Sequence, residues 1–410
     1  MEQTLNPPRQ GAIAVTVLAY IPAVLSMMTV GVIVPFIGTL AQDLHTTPAQ
    51  LGLAIALFSV PSAILATLGG GLLDAYGVRR SMLFAAGVSA VGSALASQAT
   101  SALALDGSML VSGLGFGAMC VATPCLIMAS LSDGARIRSL SLLSTFAPTG
   151  YAAGLLLAVV FVDTGNWHGA LLTHATLLAG AFVVILVGVQ PAVPPAAQLA
   201  GPKGSSPAAE GGESLQQTLQ RLWGIFRVRG AVRLGIAVAL PNAVSYGTSL
   251  AVPSFLAHAH HLSIATSSAS VASAKLAALM VGGVGMGYLL SRQVRARTLF
   301  AVMVVVGVVA QGILFLTTSS LMLATGALVL WLFAFGGMSG GAMTLLPVVV
   351  RDPTRRGAAS GLVNQCISLA SFCAPSTWLA LNSGVQFVLL AAVCLVVSLL
   401  ALPAAEASRS

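Results

Sequence analysis

The chain has 410 residues, 57% of them hydrophobic and only 7% charged, with a formal net charge of +8. A soluble domain usually carries about 25% charged residues, so that class is excluded. The positive balance would suit nucleic acid, but its placement argues against that partner. Of 18 Lys and Arg residues, all but Lys275 fall in segments that map to one face, and Lys275 lies inside an apolar run. The charge reads as a topology signal, with basic residues collecting on the cytoplasmic side.

A bilayer core of ~30 Å takes about 20 apolar residues per helix. Twelve runs meet that test: 13–40, 50–73, 81–98, 102–130, 139–162, 169–189, 231–256, 266–290, 298–317, 320–348, 358–381 and 384–403. They predict an all-α membrane protein. An even number of spans puts both termini on one face, and Arg9 and Arg409 place that face in the cytoplasm. The first run is too long for the core of a cleaved signal peptide and reads as a retained span.

Taken in order, the first run carries Tyr20 and Thr29 as polar candidates. Thr47-Pro48-Ala49-Gln50 then forms a capping box with proline at the first helical position. Pro61 is a kink candidate in the second run. Between the second and third runs, Gly70 to Arg80 makes a tight polar turn, with Asp74 closing one run and Arg79 and Arg80 opening the next. Charges so close to two helix ends are too costly to bury in lipid, so the turn lies at a water interface. Asp106, near the outer end of the fourth run, could carry a coupling proton or sit exposed at the helix mouth. In the fifth run, Pro148 and Gly150 make a bendable, closely packed helix. Trp167 in the next loop suits an interfacial anchor.

The stretch from Gln190 to Gly212, rich in Pro, Ala, Gly and Ser, reads as a flexible linker. Ser214 and Gln217 form another capping box. Leu215, Leu219, Leu222, Trp223 and Phe226 recur at helical spacing, which predicts an amphipathic helix on the cytoplasmic surface. The expected organisation is therefore a six-helix bundle over 1–189, a linker with a surface helix over 190–228, and a second six-helix bundle over 229–410.

In the second half, an ionisable residue within a span is a functional candidate because of its cost, and Lys275 is the clearest. Burying its ammonium calls for an acidic side chain, backbone carbonyls, a watery cavity or an anionic substrate; otherwise it snorkels outward. Asn242, Ser245 and Tyr246 in the seventh run, and Asn364 and Gln365 in the eleventh, are neutral polar candidates. Each seeks either substrate or a neighbouring helix. His258, His260 and His261 cluster in one loop with no cysteine or carboxylate beside them, so no metal site is expected. The five cysteines lie in apolar runs and read as packing residues. Gly113-x-Gly115-x-Gly117 and Gly336-Gly337-x-Ser339-Gly340-Gly341 fail the context of a phosphate loop, since neither follows a strand.

The halves echo one another. Val34-Pro35 with Leu44 matches Val252-Pro253 with Leu262 at an offset of 218 residues. Gly70-x-Leu72-Leu73-Asp74 matches Gly287-x-Leu289-Leu290-Ser291 at 217, and Asp133 with Arg136 matches Asp352 with Arg355 at 219.

Gly70-x-x-x-Asp74, Gly77 and the Arg79-Arg80 pair resemble the signature between the second and third helices of the major facilitator superfamily of secondary transporters. The 6+6 parallel repeat extends that resemblance over nearly the whole chain. It implies two pseudo-symmetric six-helix bundles that rock around a midplane site. Asp74, Arg79, Arg80, Asp106, Pro148 and Gly150 are then coupling or gating candidates. Lys275, Asn364, Gln365, Asn242, Tyr246 and Tyr20 are substrate-binding candidates, with the eleventh helix expected to face the eighth and Lys275. Ala147-Pro148-Thr149-Gly150 is similar to a helix motif of the family's antiporters, and Met109 stands where many proton-coupled exporters have an arginine.

The resemblance implies proton-coupled export of a small organic solute such as a drug, metabolite or siderophore-like compound, or alternatively import of a small organic anion. A membrane receptor or enzyme is the remote alternative, and no catalytic pair supports it. No cofactor is expected. The partners expected are a small-molecule substrate, a proton and the lipid bilayer of a cell inner membrane, around a monomer.

Overall fold

Backbone amides in hydrocarbon have no water to bond, so each span must satisfy them internally, and helices do so. A computed structural model describes residues 11–143, 145–189, 229–292, 294–317, 320–345, 349–350 and 353–403. The expected linker and surface helix over 190–228, and the side chains of Asp74 and Asn364, lie outside the described residues.

The helices are α1 (Ala12–Ile33), α2 (Ile37–Asp43), α3 (Pro48–Tyr76), α4 (Val78–Ala96), α5 (Ala102–Ser130), α6 (Asp133–Leu143), α7 (Phe146–Val162) and α8 (Trp167–Gly188) in the first half. The second half holds α9 (Arg229–Ala259), α10 (Ile264–Ser291), α11 (Ala296–Leu316), α12 (Leu321–Thr344), α13 (Pro353–Leu379) and α14 (Gly384–Ala401). Every one of the twelve expected spans carries helix, and no strand occurs among the described residues. Eight described segments are long and apolar enough to cross a membrane by length and composition. The remaining spans, which are α4, α7, α10 and α13, are shorter or more polar; α10, for instance, opens on Thr266-Ser267-Ser268 and holds Lys275.

Two spans are built from two pieces, each broken at a proline. Pro35 lacks the N–H that would bond the Gly31 carbonyl, and Val34–Phe36 tightens into a 3₁₀ turn between α1 and α2. Pro148 likewise cannot donate to Ser144, and α6 ends before it while α7 begins at Phe146. The bend expected at Pro148 is thus a helix break one turn earlier.

The two halves pack alike. In the first, α1 lies against α5, α7 and α8, α3 against α5, and α4 against α5 and α8. In the second, α9 lies against α12, α13 and α14, α10 against α12, and α11 against α12 and α14. The helix ends repeat too. His45 (φ 48°) and His261 (φ 53°) both take the left-handed conformation that closes a helix. Thr46 N then donates to Ala41 O at 2.9 Å, and Leu262 N to Ala257 O at 3.1 Å. Next, the Thr47 side chain caps Gln50 N at 3.3 Å and the Ser263 side chain caps Thr266 N at 3.1 Å. Gln50 Oε1 also accepts from Thr47 N at 3.1 Å, which completes the expected capping box. In this loop the repeat offset is 216 residues, so the pairing of Leu44 with Leu262 is corrected by two. The sequence comparison followed a leucine, whereas the geometry follows the caps.

The halves meet through α3 against α13 and α7 against α10. Gly52 lies directly on the Pro375 backbone, and Gln365 Nε2 donates to Ala63 O at 3.0 Å. Gly52 and Pro375 sit near the ends of their helices on the face opposite Gly11 and the linker. That face is called distal below, and the other face terminal.

Small residues let backbones touch. A Cβ on Gly154 in α7 would fall on the Met28 carbonyl and the Gly31 backbone of α1. A Cβ on Gly180, exposed on α8, meets nothing within 4 Å. Gly154→Leu is expected to destabilise by about 1–3 kcal/mol or more through overpacking. Gly180→Ala is expected to be neutral or slightly stabilising. Thermal unfolding of the two variants in detergent checks the contrast.

Candidate functional site

The ten carboxylates of the chain stand in loops, tails or helix ends, with Asp106 the deepest at the fifth residue of α5. Lys275, eleven residues beyond the start of α10, therefore has no acidic partner at its own depth. It is buried, with 7% of its surface exposed, so it does not snorkel. Its Nζ donates to Ser249 Oγ at 2.9 Å and lies 3.9 Å from the centroid of the Tyr151 ring. A ring face carries negative quadrupole charge, so this contact is a cation–π pair in a desolvated setting.

Tyr151 belongs to α7, in the other half. Its hydroxyl donates to the Ser249 carbonyl of α9 at 2.6 Å. Ser249 Oγ donates in turn to Ser245 O at 2.6 Å, which leaves its lone pairs for the ammonium. Three helices, α7, α9 and α10, thus converge on one charge, and the contact crosses the boundary between the halves. The sequence singled out Lys275 and Ser245 but neither Tyr151 nor Ser249. A serine one turn after Ser245, and a tyrosine just past Gly150 in a helix of small residues, were the available signals.

The other candidates are spread over both halves. Tyr20 Oη lies 2.9 Å from Thr145 Oγ1 and donates to Thr149 Oγ1 at 3.0 Å, across the α6–α7 break. Asn242 Nδ2 donates to Ser371 Oγ at 3.0 Å, tying α9 to α13. Tyr246 is half-buried against the core of both halves. Gln365 reaches α3 through Ala63, so α13 faces α9 and α3 at this point, while Lys275 faces Tyr151. Asp106 is half-buried and has no hydrogen-bond or ion-pair partner among the described residues. Arg79 Nη2 donates to Leu186 O at 2.7 Å, capping the end of α8, and Arg80 is exposed. Pro148 sets the helix break, and Gly150 packs on Val24 and Met27 of α1. The described residues contain no group of three His, Cys, Asp or Glu close enough to hold a metal ion.

Trp167 differs from the anchor expected of it. It is 1% exposed, stacks on His168 and donates Nε1–H to Asp43 Oδ2 at 2.8 Å. A carboxylate at the end of α2 gives the indole N–H its partner inside the protein, so the ring turns away from the lipid interface. Gln311 and Thr248, joined at 3.1 Å and fully buried between α11 and α9, were also not singled out by the sequence.

A family model described as Major Facilitator Superfamily matches residues 19–375. The chain belongs to the major facilitator superfamily. Among solved structures, it is similar to a bacterial homologue of the human lysosomal transporter Spinster in an inward-facing, unoccupied conformation. That match has TM-score 0.71 and 15% identity, covering 97% of this chain and 95% of that one. A mutant of the nucleoside transporter NupG also matches, with TM-score 0.68 and 12% identity, covering 95% of this chain and 98% of that one. At these identities the likeness shows the fold. No curated protein sequence matches significantly. The facilitator fold is that of a transporter of small molecules in a lipid bilayer, and the coarse function is transport.

A buried ammonium without a counter-ion burdens the fold, and apolar replacement of such charges is often neutral or stabilising. Lys275→Met is therefore expected to unfold at the same or a higher temperature than the wild type while losing substrate-dependent activity. A large fall in Tm would show instead that Lys275 is needed for packing.

Proposed function

We propose that this facilitator moves a small organic solute bearing an anionic group by alternating access, with Lys275 as the group that receives the anion. The carrying observation is the buried Lys275 ammonium, held across the half-to-half boundary by a hydroxyl and an aromatic face and by no carboxylate. An anion entering beside Lys275 would offer a stronger partner than the Tyr151 ring, since charge-assisted hydrogen bonds exceed cation–π contacts in strength. Drawing Lys275 off the ring would loosen α7 from α10 and favour exchange between the two access states.

The direction proposed is export coupled to a proton, which the antiporter-like Ala147-Pro148-Thr149-Gly150 run supports. Asp106 is a candidate proton carrier near the distal face. Clustering of basic residues on the terminal face supports a cytoplasmic location for both termini in a cell inner membrane, and the short turns between helices suit a bacterial one. The described contacts between halves run from the distal end toward the middle, which fits a state open to the cytoplasm, like the inward-facing Spinster homologue. The unit proposed is a monomer, with residues 190–228 as a cytoplasmic linker between the halves. A second reading, import of an organic anion, is favoured by the same lone lysine.

The test uses purified protein in liposomes with an imposed proton gradient, an interior pH dye and a panel of anionic and cationic compounds. An anionic compound is expected to move protons with the wild type. Lys275→Ala should slow that movement by about tenfold or more, the scale of a lost charged hydrogen bond. A wild-type response confined to cations and unchanged in Lys275→Ala would overturn the anion reading and pass the role to Asp106.

A further inference from the structure

We propose that His174 is a proton-binding site in the first half, built so that its imidazole can be neutral or charged without losing a hydrogen bond. His174 has no exposed surface. On α8 it stands seven residues past Trp167, roughly 10 Å below the distal end of the helix. Its Nε2 lies 2.8 Å from the Leu25 carbonyl oxygen of α1, and its Nδ1 lies 2.9 Å from Ser93 Oγ of α4. Ser93 Oγ is also 3.0 Å from the Leu171 carbonyl, one turn before His174.

The partners fix the chemistry. A carbonyl oxygen only accepts, so Nε2 carries a hydrogen in either state. Nδ1 is the atom that can gain or lose one. In the neutral ring, the Ser93 hydroxyl donates to Nδ1. In the charged ring, Nδ1–H donates to Ser93 Oγ, and the hydroxyl hydrogen turns to Leu171 O, which has a second lone pair beyond its helical bond. One proton from water adds to the Nδ1 lone pair, one hydroxyl rotates, and no protein bond breaks. A histidine that only fills space needs one donor and one acceptor. Here a further acceptor, Leu171 O, stands ready for the charged state.

The surroundings leave His174 as the one titrating group at this point among the described residues. On α1 the titratable side chain is Tyr20, bonded to Thr145 and Thr149. On α4 they are Arg79, bonded to Leu186, and Arg80, exposed at the terminal face. On α7, Tyr151 is bonded to Ser249, with Asp163 exposed at the helix end. On α8 itself, His168 Nδ1 pairs with Ser97 O at 2.6 Å. No charged side chain pairs with the imidazole. Its charge therefore falls on the packing of α8 against α1, and α1 in turn carries Gly31 against Tyr151. Protonation of His174 thus acts on the helix that supports the contact between the halves.

The inference adds to the proposed proton coupling but does not rest on Lys275 binding an anion, and its test needs no transported compound. Full-length protein labelled with ¹⁵N at histidine is placed in liposomes and read by solid-state NMR from about pH 5 to about pH 8, the range in which histidine changes charge. One histidine is expected to hold Nε2–H throughout while its Nδ1 passes from unprotonated to protonated as pH falls. His174→Gln, which keeps a donor for Leu25 and an acceptor for Ser93, should remove that signal alone. Ser93→Ala should weaken proton binding about tenfold, because a bond to a charged group is stronger than one to its neutral form. A His174 resonance that stays neutral over the whole range would overturn the proposal. So would a titration that Ser93→Ala leaves unmoved.

Discussion

Charge inside a bilayer is expensive, and the arrangement of this chain follows from where it is spent. Carboxylates are kept to loops, tails and helix ends, so the spans carry almost no negative charge. The single ammonium placed deep in a span is held by what remains, a serine hydroxyl and a tyrosine face. That tyrosine belongs to the opposite half and also bonds the backbone of α9. Cost and position coincide: the least comfortable charge of the chain lies on the boundary that has to open for transport.

The same scarcity of polar partners shapes the rest of the packing. With lipid as apolar as the side chains, helices associate by close approach, and glycines at Gly31, Gly154 and Gly52 put backbone on backbone. Polar side chains are used sparingly and bridge helices. Tyr20 spans the break at Thr145, Asn242 joins α9 to α13, and Gln365 joins the halves at Ala63. His174 gathers α1 and α4 onto α8 in the same way.

Much of this architecture was legible in the sequence, because span length, end charges and caps are local signals. The Thr47 capping box and the special role of Pro148 could be read from a few neighbouring residues. The repeat was visible as well, though its register at His45 and His261 was not, since a left-handed residue leaves no mark unless it is glycine or asparagine. The partners of Lys275 were hidden for a different reason. Spans apolar all round have no polar face to show which way a helix turns, so Tyr151 and Ser249 could be placed beside Lys275 only by packing. Trp167 was misjudged because Asp43, more than a hundred residues earlier, supplies its partner.

The central claim is that the Tyr151–Ser249–Lys275 contact holds the halves together on the distal side. Spin labels at exposed Asp163 and Asn382, one on the distal end of each half, would report that separation by pulsed electron resonance in liposomes. Tyr151→Ala removes both the ring and the hydroxyl. The account predicts that this variant shifts the distance distribution toward longer separations than the parent protein with the native cysteines replaced. A distribution unchanged by Tyr151→Ala would contradict it, leaving Lys275 a buried charge with no part in holding the halves closed.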